Sequence, residues 1–307
     1  MKKILSRRDF MRHAGKVGLA GTGAYALTAM LTGCVTDVAS TISQVAKHSD
    51  SLVKVAKAGM KAFDDFTPEQ EYYIGRTVGA IVLEQYKPYD NKQVTHYINV
   101  LGQTLAQASD LPETFNGYHL LVLDSNEINA FATPSGLIFV SRGMLRCCGN
   151  EGELAAILAH EVGHVQLKHG LQSIEKGRFT EFGTILAMET TKTLTDSEVT
   201  QLVESFEGTI GDITTTMINN GYSRAFEEDA DASAVTIMQR VGYNPVSLEK
   251  MLATMKTKIK PDGHDFAKTH PSPEKRISYL SKIIETRSEP TFSAAQKKRF
   301  QEAMKYI

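Results

Sequence analysis

The sequence predicts an α+β fold, mostly helical with one small antiparallel sheet, and three observations carry that expectation. Apolar residues recur at three- and four-residue spacing on both sides of a window from 119 to 140. Inside the window the period changes. Residues 119–123 and 137–140 are β-rich runs, and Thr133-Pro134-Ser135-Gly136 reads as a turn between them. The composition, 42% hydrophobic and 22% charged over 307 residues, belongs to a core-forming chain and excludes wholesale disorder or fibrous repeats.

Taken in order, residues 1–33 read as a targeting segment rather than as fold. Lys2, Lys3, Arg7, Arg8, Arg12 and Lys16 face Asp9 alone, and an uncharged stretch runs from 17 to 36. Ser6-Arg7-Arg8-Asp9-Phe10-Met11 resembles the twin-arginine export motif, and Leu31-Thr32-Gly33-Cys34 resembles a lipobox. A transmembrane anchor is the competing reading. Five glycines between 15 and 33 and a cysteine at the lipobox position favour a lipoprotein signal, cleaved so that Cys34 is lipidated. Val35 rather than Asp after Cys34 points to the outer membrane, with the mature chain facing the periplasm.

Residues 34–66 follow as a lipidated N-terminus and amphipathic helix, with Val38, Ile42, Val45, Leu52 and Val55 at helical spacing. Thr67 and Pro68 open the next helix as cap and first turn, and Ile74, Val78, Ile81 and Val82 form its stripe. A further helix is predicted over 91–108. Residues 287–307 form a C-terminal helix whose Lys297-Lys298-Arg299 run reads as a solvated face. With 34 basic and 35 acidic residues, the chain lacks the basic excess of a nucleic-acid binder. Three cysteines cannot staple a fold this long, and Cys147-Cys148 read as thiols near a helix end.

The chemistry lies at His160-Glu161-Val162-Gly163-His164. Asn150 caps a helix here, Glu151 and Glu153 suit its positive end, and Gly170 stops it. Two histidines four apart project from one side of a helix, so both reach one metal ion. Glu161 lies one position round, where a carboxylate can deprotonate water. Ser223 caps a second helix, on which Glu227 supplies a third ligand. Asp231, one turn on, is placed to fix the tautomer of a ligand histidine. His169 is predicted to fall off the ligand face and to serve the helix C-terminus as a charge.

His-Glu-x-x-His followed by Ser-Arg-x-x-Glu-x-x-Ala-Asp resembles the membrane-linked zinc metallopeptidases related to HtpX, Oma and the CAAX prenyl proteases, and among them the bacterial envelope members of the BepA and LoiP type. The similarity runs from about Thr67 to Ile284 and includes Asn129-Ala130-Phe131-Ala132, Gly242-Tyr243-Asn244-Pro245 and Thr269-His270-Pro271 with Arg276. It implies a zincin-like (gluzincin) domain over 67–286 holding one Zn2+ through His160, His164 and Glu227, with Glu161 as the catalytic base. Glu228 adds a carboxylate beside the expected ligand, and Asp229 stands where the family often has Glu. Only 23 residues follow Ile284, so the short LoiP-like architecture is expected rather than one with a helical-repeat domain.

The resemblance further implies endopeptidase action on unfolded or misfolded envelope and outer-membrane proteins, in contact with the outer-membrane assembly machinery. Substrate is expected to add as a strand along Phe131 to Val140, taken as the edge strand. Tyr222, Arg276 and His270 are candidates for the oxyanion or substrate contact. His270, in a proline-bounded loop, is also a candidate cap on the metal, displaced when substrate binds. The alternative is a zinc-containing lipoprotein chaperone or assembly factor with little proteolytic activity.

Overall fold

A computed structural model describes residues 68–173, 207–208, 210–258, 270, 273–285 and 288–307. The expected signal segment 1–33, the lipidation site Cys34, the helix predicted within 34–66 and the Thr67 cap lie outside the described residues. The chain divides into two compact units. One comprises Met1–Tyr73 and Ile174–Ile210, and its described residues include the first turns of α1 (Pro68–Gln85). The other comprises Ile74–Ser173 and Gly211–Ile307 and carries every group discussed below.

In that unit α2 (Lys92–Gln107) starts where the Asn91 side chain accepts from the Gln93 and Val94 N–H groups. It buries Val94, Ile98, Leu101 and Leu105. The strands β1 (His119–Leu123), β2 (Ala130–Ala132) and β3 (Leu137–Ser141) form a sheet in the order β1-β3-β2. The sheet is mixed, which corrects the antiparallel expectation. β1 runs parallel to β3, with His119 opposite Leu137, whereas β2 and β3 form an antiparallel hairpin with Phe131 opposite Phe139. Thr133–Gly136 therefore joins β2 to β3, not β1 to β3.

The edge assignment changes with the topology, since β3 is central and β2 is an edge. The Thr133 N–H donates to the Leu137 carbonyl and the Ser141 N–H to the Asn129 carbonyl. By antiparallel alternation, Ala130 and Ala132 turn their backbone groups away from β3.

Beyond the sheet come α3 (Arg142–Cys147) and α4 (Glu151–Gln166), the latter capped by Asn150, whose side chain accepts from the Glu153 N–H. Residues 151–165 are buried on every face, so α4 is the central helix, packed against α2, β2 and the helices that follow. It ends earlier than predicted. Lys168 turns left-handed at φ 55° before the short α5 (His169–Gln172). After a π turn at Thr216–Asn220 come α6 (Arg224–Arg240), α7 (Val246–Lys258), α8 (Pro273–Ile283) and α9 (Ala294–Met304).

Val122, Ile138, Val140, Leu154, Ile157, Met238, Leu248, Met251 and Leu280 make one continuous core around α4. Cys147 and Cys148 are buried thiols at the α3 end, not joined in a disulfide. The Lys297-Lys298-Arg299 run is exposed, as expected, but Arg299 also makes an ion pair. It pairs with the buried Glu151, which also accepts from Tyr97 at 3.0 Å and Tyr243 at 2.6 Å, and so fastens α9 to the start of α4. No helix among the described residues is long and apolar enough to cross a membrane.

Candidate metal centre

His160 and His164 emerge from one side of α4, one turn apart, with Nε2 atoms 3.1 Å from each other. Glu227 reaches them from the first turn of α6, where Ser223 accepts from the Phe226 N–H. The two helices touch at Gly163. A Cβ there would stand 2.9 Å from the Ala230 carbonyl oxygen, so only glycine permits this approach. His270 joins from the segment before α8, its Nδ1 at 2.8 Å from Glu227 Oε1 and 3.3 Å from His160 Nε2. Glu227 Oε1 lies 3.3 Å from His164 Nε2 and Oε2 3.5 Å from His160 Nε2.

These four donors, all buried, fit zinc. Zinc–ligand bonds of about 2.0–2.1 Å place tetrahedral ligand atoms about 3.3 Å apart, close to the spacing observed. Asp231 Oδ1, 3.0 Å from His160 Nδ1, accepts a hydrogen bond from that nitrogen's N–H and so turns the Nε2 lone pair to the centre. Lone pairs converging this closely on buried side chains call for a cation between them.

Arg276 binds the acids from behind. Its Nε and one terminal nitrogen fork onto Asp231 at 2.9 and 2.6 Å, and the other terminal nitrogen lies 3.2 Å from Glu227. This commits the guanidinium to the carboxylates and leaves it unsuited to the oxyanion role for which it was a candidate. Burial opposes charge on Glu227 and Asp231, yet both carboxyls are held below the usual range, Glu227 by His270 and Arg276 and Asp231 chiefly by Arg276. Burial and Arg276 also oppose charge on His160, but Asp231 and Glu227 outweigh them and push its imidazole up to about 9. His164, where burial dominates, is pushed well down.

Glu161 differs from its neighbours. It is fully buried, and neither carboxylate oxygen accepts a hydrogen bond among the described residues; His270 Nε2 stands 3.7 Å away. Burial raises its pKa, which suits a proton acceptor working near neutrality. Glu228, the competing carboxylate, points elsewhere and pairs with Arg224 at 2.8 Å.

His169 lies off the donor set as expected but does not serve the helix end as a charge. It is buried, with Nδ1 2.9 Å from His164 Nδ1 and its ring stacked on Phe226 at 4.3 Å and 4°. Burial lowers its pKa to about 4, so it is neutral rather than a helix-end charge. The left-handed Lys168 places it against the far nitrogen of His164. Tyr222 stacks on the other ligand surface, its ring 4.4 Å from that of His164 at 21°.

A His-Glu-x-x-His pair on a buried helix, completed by a carboxylate from a second helix, defines a metallopeptidase of the zincin class. The sequence profile of Peptidase family M48 matches residues 92–284, and the chain belongs to that family, whose members use zinc. It is 27% identical over 250 residues to the beta-barrel assembly-enhancing protease of Escherichia coli K12, covering 78% of this chain and 49% of that one. To the Yersinia pestis protein of the same name it is 28% identical over 187 residues, 60% of this chain and 38% of the other. To the mitochondrial metalloendopeptidase OMA1 of Schizosaccharomyces pombe it is 30% identical over 173 residues, 54% of this chain and 47% of that protein. The chain thus spans about half the length of the curated relatives it matches or less.

Proposed function

We propose that the protein is a zinc-dependent metalloendopeptidase of the bacterial envelope, held to the membrane through lipidated Cys34, that degrades misfolded or unassembled envelope and outer-membrane proteins. The observation that carries the activity is Glu161, a buried carboxylate that accepts no hydrogen bond among the described residues, one position round from two converging histidines. In this reading His160, His164 and Glu227 hold zinc, which supplies Lewis acidity toward a carbonyl and toward water. Glu161 takes a proton from water at one carboxylate oxygen and passes it to the departing amide nitrogen. Asp231 and Arg276 keep the ligands oriented and charged.

The outward backbone groups of Ala130 and Ala132 support strand addition as the mode of binding, since main-chain pairing selects extended segments whatever their side chains. The names of the relatives support a setting in beta-barrel assembly.

The test is degradation of unfolded casein by zinc-loaded protein. Glu161→Gln is expected to keep its zinc and lose cleavage, while His160→Ala, His164→Ala and Glu227→Ala lose both. Cleavage that survives Glu161→Gln or a strong chelator ends the reading. Anchoring is tested by fractionating cells that express Cys34→Ser, whose product is expected to leave the membrane pellet; unchanged membrane retention would refute a lipid anchor on Cys34.

One observation favours the second reading, a zinc-containing chaperone or assembly factor. His270 makes the donor set four, and a closed set of four protein ligands is the usual form of structural zinc. Zinc-replete wild type and His270→Ala that both fail to cut casein would establish it.

A further inference from the structure

We propose that Tyr222 is a catalytic residue of this centre, its phenol donating a hydrogen bond to the carbonyl oxygen of the scissile peptide as that oxygen gains negative charge. The proposal deepens the peptidase reading above and rests on it.

The first observation is an unsatisfied donor. Tyr222 is 6% exposed, and its hydroxyl has no hydrogen-bond partner among the described residues. Buried polar atoms are seldom left so, because a donor stripped of water without a new partner destabilises the fold. The other buried tyrosines of this unit obey the rule. Tyr118 donates to the Leu111 carbonyl at 2.8 Å and Tyr243 to Glu151 at 2.6 Å. An orphaned hydroxyl inside a reaction centre points to a ligand that arrives later.

The second observation is how firmly the ring is held. The π turn Thr216–Asn220 precedes it and packs against β2. Gly221 then adopts φ 76° and ψ 169°, a conformation open to glycine, and donates its N–H to the Thr216 carbonyl at 2.7 Å. Ser223 caps α6 directly after. Tyr222 is therefore fixed between two helical segments, with its ring flat against His164.

The third observation is where the hydroxyl lies. A Cβ on Gly170 would stand 3.2 Å from the Pro134 ring and 3.6 Å from the Tyr222 oxygen. The hydroxyl and the Pro134 ring, in the turn that ends β2, thus approach the same point at Gly170, while the tyrosine ring lies on the ligand His164. The other candidates are engaged, Arg276 on two carboxylates and His270 in the donor cluster.

In the step this assigns, water oxygen bonds to the carbonyl carbon and gives one proton to Glu161, while the C=O π pair moves onto the carbonyl oxygen. Tyr222 stabilises that oxygen and keeps its own proton. When the C–N bond breaks, the pair returns to C=O and the amine leaves with the proton from Glu161.

The experiment compares zinc-loaded full-length wild type with Tyr222→Phe, which preserves the stacked ring and deletes the hydroxyl. Casein turnover, zinc content, and binding of a phosphinic peptide and a thiol peptide are measured. The expected result is unchanged zinc, KM within about threefold, and kcat lower by on the order of 100–1,000-fold. The phosphinic peptide, whose tetrahedral centre carries an oxyanion, should weaken at least tenfold, on the order of one lost charged hydrogen bond, while the thiol peptide is unaffected. Either a kcat within threefold of wild type or zinc lost from Tyr222→Phe overturns the proposal, the second by making the hydroxyl structural. Wild type that holds zinc yet neither cuts casein nor binds either inhibitor overturns the peptidase reading, and this one with it.

Discussion

Around the metal site, each first contact is itself held by a second residue, and the two kinds differ in how well sequence reveals them. His160, Glu161 and His164 are legible because helical spacing alone fixes their relation. Glu227 and Asp231 are legible as one turn of a second helix. His169 is not, because its place depends on a left-handed residue, Lys168, which carries no mark in the sequence. Its burial has a consequence for acid stability. His169 titrates near 4 when folded and near 6.5 when unfolded, so the unfolded chain binds the extra proton between those values. Stability is then complete above about pH 6.5 and declines as pH falls toward 4, with an upper bound on the order of 3 kcal/mol from this residue. Denaturant melts of zinc-free protein between pH 7 and 4 check this, since metal loss then adds nothing. The decline is expected to be shallower in His169→Asn, and an equal decline in both proteins assigns the acid sensitivity elsewhere.

Helices and strands were read from the sequence with unequal success, and the reason is length. α2, α4, α6 and α7 each give several turns of apolar repeat and a capping or acidic first turn, so local signals accumulate. β2 has three residues, too few for a period, and missing it turned a mixed sheet into an antiparallel one. The pairing of Arg299 with Glu151 was equally hidden, because two residues 148 positions apart leave no local trace. The closest approach of elements at the site, α4 against α6, is also a tertiary fact written on one residue. A Cβ at Gly163 would meet the Ala230 carbonyl at 2.9 Å and Ser233 Cβ at 3.1 Å, before any branching methyls are counted. Gly163→Val is therefore expected to force α6 outward, destabilise the fold by about 1–3 kcal/mol and move Glu227 off its partners. Urea melts check the first effect, and zinc competition with a chromophoric chelator checks the second. Wild-type zinc affinity in a folded Gly163→Val protein would mean that the helix contact does not set the position of Glu227.

At the scale of the whole molecule, the centre is closed. His160 and Glu161 are 0% exposed and His270 is 2% exposed, while Ala130 and Ala132, the backbone expected to pair with substrate, are buried as well. Glu161 is covered in this conformation, and we propose that it is a resting form. His270 Nδ1 stands within 3.3 Å of both Glu227 and His160, in the fourth corner of the donor set, where catalytic water would otherwise belong. His270→Ala removes the fourth donor and leaves three, enough for catalytic zinc. It is expected to raise casein cleavage about tenfold, by removing the fraction of molecules held in the resting form. The same variant should release zinc faster to a small chelator, with its starting zinc content intact. The two readouts together exclude a merely general loosening, since a destabilised fold would lose zinc at the outset and cleave less. Unchanged cleavage with unchanged chelator sensitivity would assign His270 to orienting Glu227 and leave the protein without a cap.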